Sequence, residues 1–333
     1  MKHGEGTSAI FMKRKEKIAS LTTAFALLGG LWTAGPVAGE IVKRFGQAER
    51  FNVPPVLDGK LEPERWSSVP ALDKFTQTVD GVGPETARTS AYIGYDNKKL
   101  FVGIACREPE GRLLQKLIAR GTIHSFEESV ELFISPSDTE TYYQFMVGAS
   151  GKRYEGKETD SGWTASWASA VHVTSEGYDV EIAVPFTSLN SHPTPGSMWR
   201  LNVNRTRGLG DKVEYTCWSN TGGGFHMPNR FGYVVFGRYE EYFIKQWELR
   251  TTAALGQIEQ LFHDYPESTT ALGMLRAQAN TVASDLTRKI QARPIDSEDR
   301  AIEMFTRSRE LDHRLEEVTS KVRLAIIRNE FLK

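Results

Sequence analysis

The sequence predicts a mainly β protein, an antiparallel β-sandwich of two packed sheets, with a C-terminal α-helical bundle or coiled coil behind it. Three observations predict it. Short apolar runs of period two recur between Glu40 and Arg238, Gly- and Asn-containing turns separate them, and after Tyr239 the apolar period changes to three or four. The chain therefore divides at 40 and 239, with a distinct leader over 1–39.

The leader carries Lys13, Arg14, Lys15 and Lys17, then a mostly apolar run from Ile18 to Trp32, then the small residues Val37-Ala38-Gly39. That order is the order of a secretory signal peptide, and it predicts cleavage after Gly39 and a secreted or periplasmic mature protein. The apolar stretch is about 14 residues, short of the ~20 that span a bilayer, so no membrane span is expected in the mature chain.

Within 40–238 each strand is read from its alternation. Ile93 and Tyr95 alternate with Tyr92, Gly94 and Asp96; Val130, Leu132 and Ile134 with Ser129, Glu131 and Phe133; Val180, Ile182 and Val184 with Asp179, Glu181 and Ala183. In a strand such runs send one set of side chains into a core and the other outward. Asp96-Asn97-Lys98-Lys99 and Ser175-Glu176-Gly177 are the turns between them. Trp66 and Trp199 are expected in packing, whereas Trp163 and Trp167, in a Ser/Thr/Gly-rich loop, fit either exposed platforms or edge packing.

Beyond Tyr239, a first helix is expected from Tyr242 to His263. A second carries Leu272, Leu275, Ala279, Val282, Leu286 and Ile290, and a third runs from Ser297 to Phe331. Pro266 and Pro294 punctuate the breaks, and Ser268 and Asp296 are the expected N-caps. These helices either fold back as an antiparallel bundle or make a homodimer or protein contact through residues 242–331.

Charge narrows the partners. With 41 basic and 42 acidic side chains the formal net charge is -1, which supplies no global field for nucleic acid or an anionic membrane. Cys106 and Cys217 sit in expected strands; in an oxidising compartment they either join as one disulfide or act as two buried thiols. The sequence has no GxSxG elbow and no HExxH motif, and its neighbouring carboxylates Glu127, Glu128 and Glu131 belong to one strand, so it does not read as an enzyme.

The phrases VLDGKLEPERW (56–66), AYIGYDNKKLFVGI (91–104), FEESVELFI (126–134), YYQFMVG, YDVEIAVPF (178–186), WRLNVNR (199–205) and RFGYVVFG occur in an order that resembles the family 9 carbohydrate-binding modules and their relatives. The resemblance covers roughly 200 residues and excludes the helical tail. It implies a secreted, non-catalytic sugar-binding β-sandwich that serves carbohydrate catabolism, with the ligand in a slot between aromatic side chains. Many members place a tryptophan six residues before the Glu of the -SVE- strand; here Ser125 stands there, between His124 and Phe126.

The expected stacking faces are therefore Phe126 and Trp218, with Phe225 and His226 nearby. A pyranose presents an apolar C–H face to a ring and hydroxyls to polar groups. Glu131, Asn204, Arg205 and Arg153 are the expected polar contacts, with a Glu131–Arg205 cross-sheet ion pair as the structural alternative. Calcium, where it supports loops, would call on Asp58 and Asp96. The rival reading is a haem-binding sandwich using Met146, His226 and Met227, without a CxxCH attachment site; a further one is a structural module with an interacting helical tail.

Overall fold

The computed structural model describes residues 43–78, 83–108, 128–136, 141–209, 212–265 and 269–310, with His313 and Leu324. The expected leader over 1–39, the residues His124, Ser125 and Phe126, Pro266 and Ser268, and most of the last helix beyond 310 lie outside the described residues.

Thirteen strands are found among the described residues. They are β1 (Phe45–Arg50), β2 (Ala71–Leu72), β3 (Thr76–Gln77), β4 (Thr89–Tyr95), β5 (Lys99–Arg107), β6 (Glu128–Ser135), β7 (Tyr143–Gly148), β8 (Arg153–Lys157), β9 (Ala168–Thr174), β10 (Gly177–Pro185), β11 (Met198–Gly208), β12 (Val213–Cys217) and β13 (Gly232–Phe236). They join as one curled sheet in the order β8-β7-β6-β11-β13-β1-β4-β5-β10-β9, with β2 on β4, and β12 pairing both β11 and β3. The long β11 shares one edge between two partners: residues 198–201 pair β13 and residues 204–208 pair β12.

The sheet is mixed rather than purely antiparallel. β1 runs parallel to both β13 and β4, joining the two halves. Sequence periodicity reports which face a side chain takes but not the direction of its neighbour, so this pairing is invisible along the chain.

The expected alternation sets the core. Val130, Leu132 and Ile134 of β6, Phe145 and Val147 of β7, Leu201 and Val203 of β11, Ile93 of β4, Val102 and Ile104 of β5 and Val180, Ile182 and Val184 of β10 meet in one buried cluster. The turns at 96–98 and 175–176 join β4 to β5 and β9 to β10 as expected. Trp66 and Trp199 are buried, as is Trp167, while Trp163 is half-buried against Tyr143 and Phe145.

A carboxylate explains the LDG…ERW phrase. Glu181 points away from the main core, and its oxygens accept from the Asp58 and Gly59 backbone N–H groups (3.0 and 2.9 Å) and from Trp66 Nε1 (3.1 Å). Trp66, in the short helix α1 (Pro63–Trp66), packs with Phe51, Val69, Phe101 and Ala183 on that outer face. Gly59 has φ +86°, and a Cβ there would meet the Val171 carbonyl carbon at 2.6 Å, so glycine is required for the turn to lie against β9.

The two cysteines are both free and buried. Their strands do not lie side by side: β5 pairs β4 and β10, while β12 pairs β11 and β3. The disulfide reading is thereby corrected to two buried thiols, and burial pushes the Cys106 thiol up to about 11.

The helices are α2 (Tyr239–Asp264), α3 (Thr269–Ala292) and α4 (298–310). None among the described residues is long and apolar enough to cross a membrane. The chain separates into a β unit, Ile41–Tyr242 with Asp296–Ile302, and a helical unit holding the rest of the tail. In the helical unit Arg276 of α3 pairs Glu259 of α2 at 3.1 Å, and Leu272 and Leu275 are buried.

The β unit recruits the start of α4. Glu298 accepts from Arg44 Nε (2.6 Å) and from the Phe45 N–H (3.0 Å). The cap of that helix is Ser297 rather than Asp296, since the Ser297 hydroxyl accepts from the Arg300 N–H at 3.4 Å.

Candidate functional site

The register of four strands lays out a grid on the outer face of β7-β6-β11-β12, opposite the core. Across its middle row Met146 faces Glu131, Glu131 faces Asn204, and Asn204 faces Cys217. On one side lies the row Gly148, Ser129, Thr206, Tyr215; on the other, Gln144, Phe133 and Asn202. Because side chains alternate, every residue of this grid shares one face.

Glu131 is 6% exposed and its Oε2 accepts from Gln144 Nε2 at 2.6 Å. Burial pushes its carboxyl up to about 7, with the Gln144 bond opposing the rise. Asn204 beside it is fully buried, and neither its Oδ1 nor its Nδ2 has a hydrogen-bond partner. A buried amide in that state costs about 1–3 kcal/mol per unmet group. Asn202, two residues away, is by contrast satisfied: its amide donates to Ser219 O and accepts from Ser219 N, both at 2.9 Å.

That Asn202–Ser219 pair anchors the loop between β12 and β13, which crosses the same face. Phe225 meets Tyr215 at 6.0 Å between ring centroids and 76° between planes. His226 stands edge-on to Phe133 at 5.1 Å, and its Nδ1 bonds the Tyr142 hydroxyl at 2.9 Å. Burial holds His226 below its ordinary value, so the imidazole is neutral near pH 7. Tyr215, Phe225, His226 and Tyr142 thus make a line of rings bordering a polar floor.

The sequence-expected residues divide between the two faces. Glu131, Asn204, Phe225 and His226 come together on the grid. Arg205 faces the other way, 1% exposed, donating to Glu108 at 3.2 Å and to the Arg107 and Ala87 carbonyls. The Glu131–Arg205 pair is therefore replaced by Glu108, which Arg207 also grips at 2.6 Å. Arg153 pairs with Val147 in register, on the core side, and its guanidinium lies 4.9 Å over Trp167.

Trp218 is corrected most sharply. It is 1% exposed within the main core, with Gly232 pressed so closely to its ring that a Cβ would overlap Cζ3 and Arg44 at 5.5 Å from the ring centroid. Its ring packs on the core side of the sheet, on the face opposite the one where Glu131 and Asn204 meet. Asp58 and Asp96 each close a turn, Asp58 Oδ1 accepting from the Lys60 N–H (2.9 Å) and Asp96 Oδ1 from the Lys98 and Lys99 N–H groups (2.6 and 2.7 Å). Among the described residues no group of three or more His, Cys, Asp or Glu could hold a metal ion.

For the haem reading, Met146 lies on the grid, His226 is tied to Tyr142 through Nδ1, and Met227 is 37% exposed. Gln144 and Tyr215 were not singled out from the sequence. Gln144 was accessible to the same alternation, since Tyr143, Phe145 and Val147 turn inward and leave it outward with Met146.

The family model described as carbohydrate family 9 binding domain-like matches residues 57–237. Exoglucanase XynX of Acetivibrio thermocellus is 27% identical over 173 residues, 51% of this chain and 15% of that protein. Endo-1,4-beta-xylanase A of Thermoanaerobacterium saccharolyticum is 27% identical over 175 residues, 51% of this chain and 14% of that protein. The matched part is therefore a small fraction of those relatives.

Among solved structures, a carbohydrate binding module family 9 from Caldicellulosiruptor kristjanssonii in complex with cellotriose aligns with a TM-score of 0.44 at 16% identity, covering 59% of this chain and 94% of that one. A putative carbohydrate-binding protein from Bacteroides uniformis aligns with a TM-score of 0.44 at 15% identity, over 58% of this chain and 99% of that one.

Proposed function

This chain belongs to the carbohydrate family 9 binding domain-like family, and we propose that it is a non-catalytic carbohydrate-binding protein whose ligand lies on the outer face of β6, β7, β11 and β12. The observation that carries the reading is Asn204. Its amide is buried with both atoms unpaired, directly across from the Glu131–Gln144 pair. Sugar hydroxyls donate and accept at one atom, so they can meet both ends of the amide and the carboxyl together. Phe225 supplies a ring for the apolar face of a pyranose.

The names of the relatives, an exoglucanase and an endo-1,4-beta-xylanase, support a glucan or 1,4-β-xylan ligand. The Lys13–Lys17 cluster and the small residues ahead of Glu40 support export of the chain to the periplasm or beyond, with carbohydrate catabolism as its setting.

Calorimetric titration against soluble xylo- and cello-oligosaccharides tests the reading, with Asn204→Leu as the deciding variant. Replacing an unpaired buried amide by an apolar group of similar shape is close to neutral for folding, or stabilising. Sugar affinity is expected to fall about tenfold while the unfolding midpoint holds or rises. Unchanged affinity in that variant, or no binding by the unaltered protein, refutes the proposal.

A further inference from the structure

Exposure along β12 is strongly two-sided. Glu214 and Thr216 are buried, whereas Val213 is 46% and Tyr215 41% exposed. Met227, on the loop that brings Phe225 to Tyr215, is 37% exposed. Single exposed apolar side chains are ordinary on any protein surface. Here three of them occur on one strand face and the loop beside it, bordering the polar grid: Tyr215 pairs in register with Thr206, the outward neighbour of Asn204 on β11.

Two geometric facts give the stripe a direction. Successive outward positions on a strand are about 6.8 Å apart, so Val213 and Tyr215 together present a surface on the scale of one sugar ring. Diagonal neighbours across adjacent strands are about 7–8 Å apart, which sets Tyr215 roughly one ring away from Asn204. The stripe thus leads off the floor, and its exposure contrasts with the burial of Glu131 and Asn204.

Resting on the function proposed above, we infer that Tyr215, with Val213 beside it on β12, is a second subsite that stacks the next ring of a chain whose first sugar sits on Asn204 and Glu131. The ligand class is accordingly an oligo- or polysaccharide rather than a free monosaccharide. Tyr215 sets this preference because a phenol combines an apolar face with a hydroxyl that can bond the rim of the ring. Asn204 and Glu131 hold the first sugar; Tyr215 reads chain length.

The test is the ratio of trimer to monomer affinity. The full chain is titrated with glucose, cellotriose, xylose and xylotriose, and the titrations are repeated for Tyr215→Ala and Tyr215→Trp. The unaltered protein is expected to bind one trimer at least tenfold more tightly than its monomer. Tyr215→Ala should bring that ratio to within about threefold of unity, and Tyr215→Trp should retain it. Tyr215 is exposed, and matching denaturation curves would show that the variants fold. Saturable binding whose ratio is unmoved by Tyr215→Ala overturns the subsite and leaves the proposed function standing; absence of binding to all four sugars by the unaltered protein overturns both.

Discussion

Replacing Glu131 by glutamine should change how stability depends on pH. The Glu131 carboxyl is raised from an ordinary 4.5 to about 7 by burial, and its described neighbours on the grid, Met146, Asn204, Ser129, Phe133 and Gln144, carry no charge. Arg205, which could have neutralised it, lies on the core side with Glu108. As pH rises above 4.5 the unfolded chain ionises this group while the folded chain holds its proton, so folding is progressively disfavoured until ionisation of the folded state near 7. At about 1.4 kcal/mol per pH unit, the interval amounts to about 3 kcal/mol lost between pH 4.5 and pH 7 and no further loss above.

The amide introduced by Glu131→Gln has no such proton to hold, and its carbonyl can still accept from Gln144. Urea unfolding of both proteins at about pH 5 and about pH 8 isolates the effect, because every other titrating group is common to the two. The variant should gain on the unaltered protein by about 2.5 kcal/mol between the two pH values. A difference that stays constant across that range would refute the argument from burial.

Two further outcomes follow from the placement of residues. Trp218→Ala removes a ring filling the core and should cost about 3–5 kcal/mol in denaturant unfolding, while sugar affinity of the folded fraction is retained; loss of affinity at full stability would return Trp218 to the ligand site. Expressed in a secreting host, the chain should be recovered outside the cytoplasm with an intact mass that begins at Glu40; retention of residues 1–39 in that fraction would sink the cleavage reading, and recovery from the cytoplasm alone would sink the export reading.

The division between what could and could not be read runs through adjacent residues. Asn204 and Arg205 were both candidates, yet neighbours in a strand point to opposite faces, and the WRLNVNR alternation with Leu201 and Val203 inward already assigned Arg205 to the core. Read strictly, period two would have kept Asn204, discarded Arg205 and added Gln144. Trp218 was different. It follows the last residue of β12, and its burial depends on Gly232 admitting the ring, a residue that is not local to it.

What the sequence determined by itself was the inward and outward set of each strand, the turns between strands, the change to helical period after Tyr239 and the phrases that carry the family. These are local, because the period of a strand and the chemistry of a turn are written within a few residues. Only the tertiary structure decided that β1 joins the two halves in parallel, that Cys106 and Cys217 stand on separated strands, that Glu298 returns from the tail to Arg44, and that Tyr215 borders the floor on which Glu131 and Asn204 meet. Each of these depends on which distant strand becomes a neighbour. That choice is made by burying the whole core at once, and no single segment contains it.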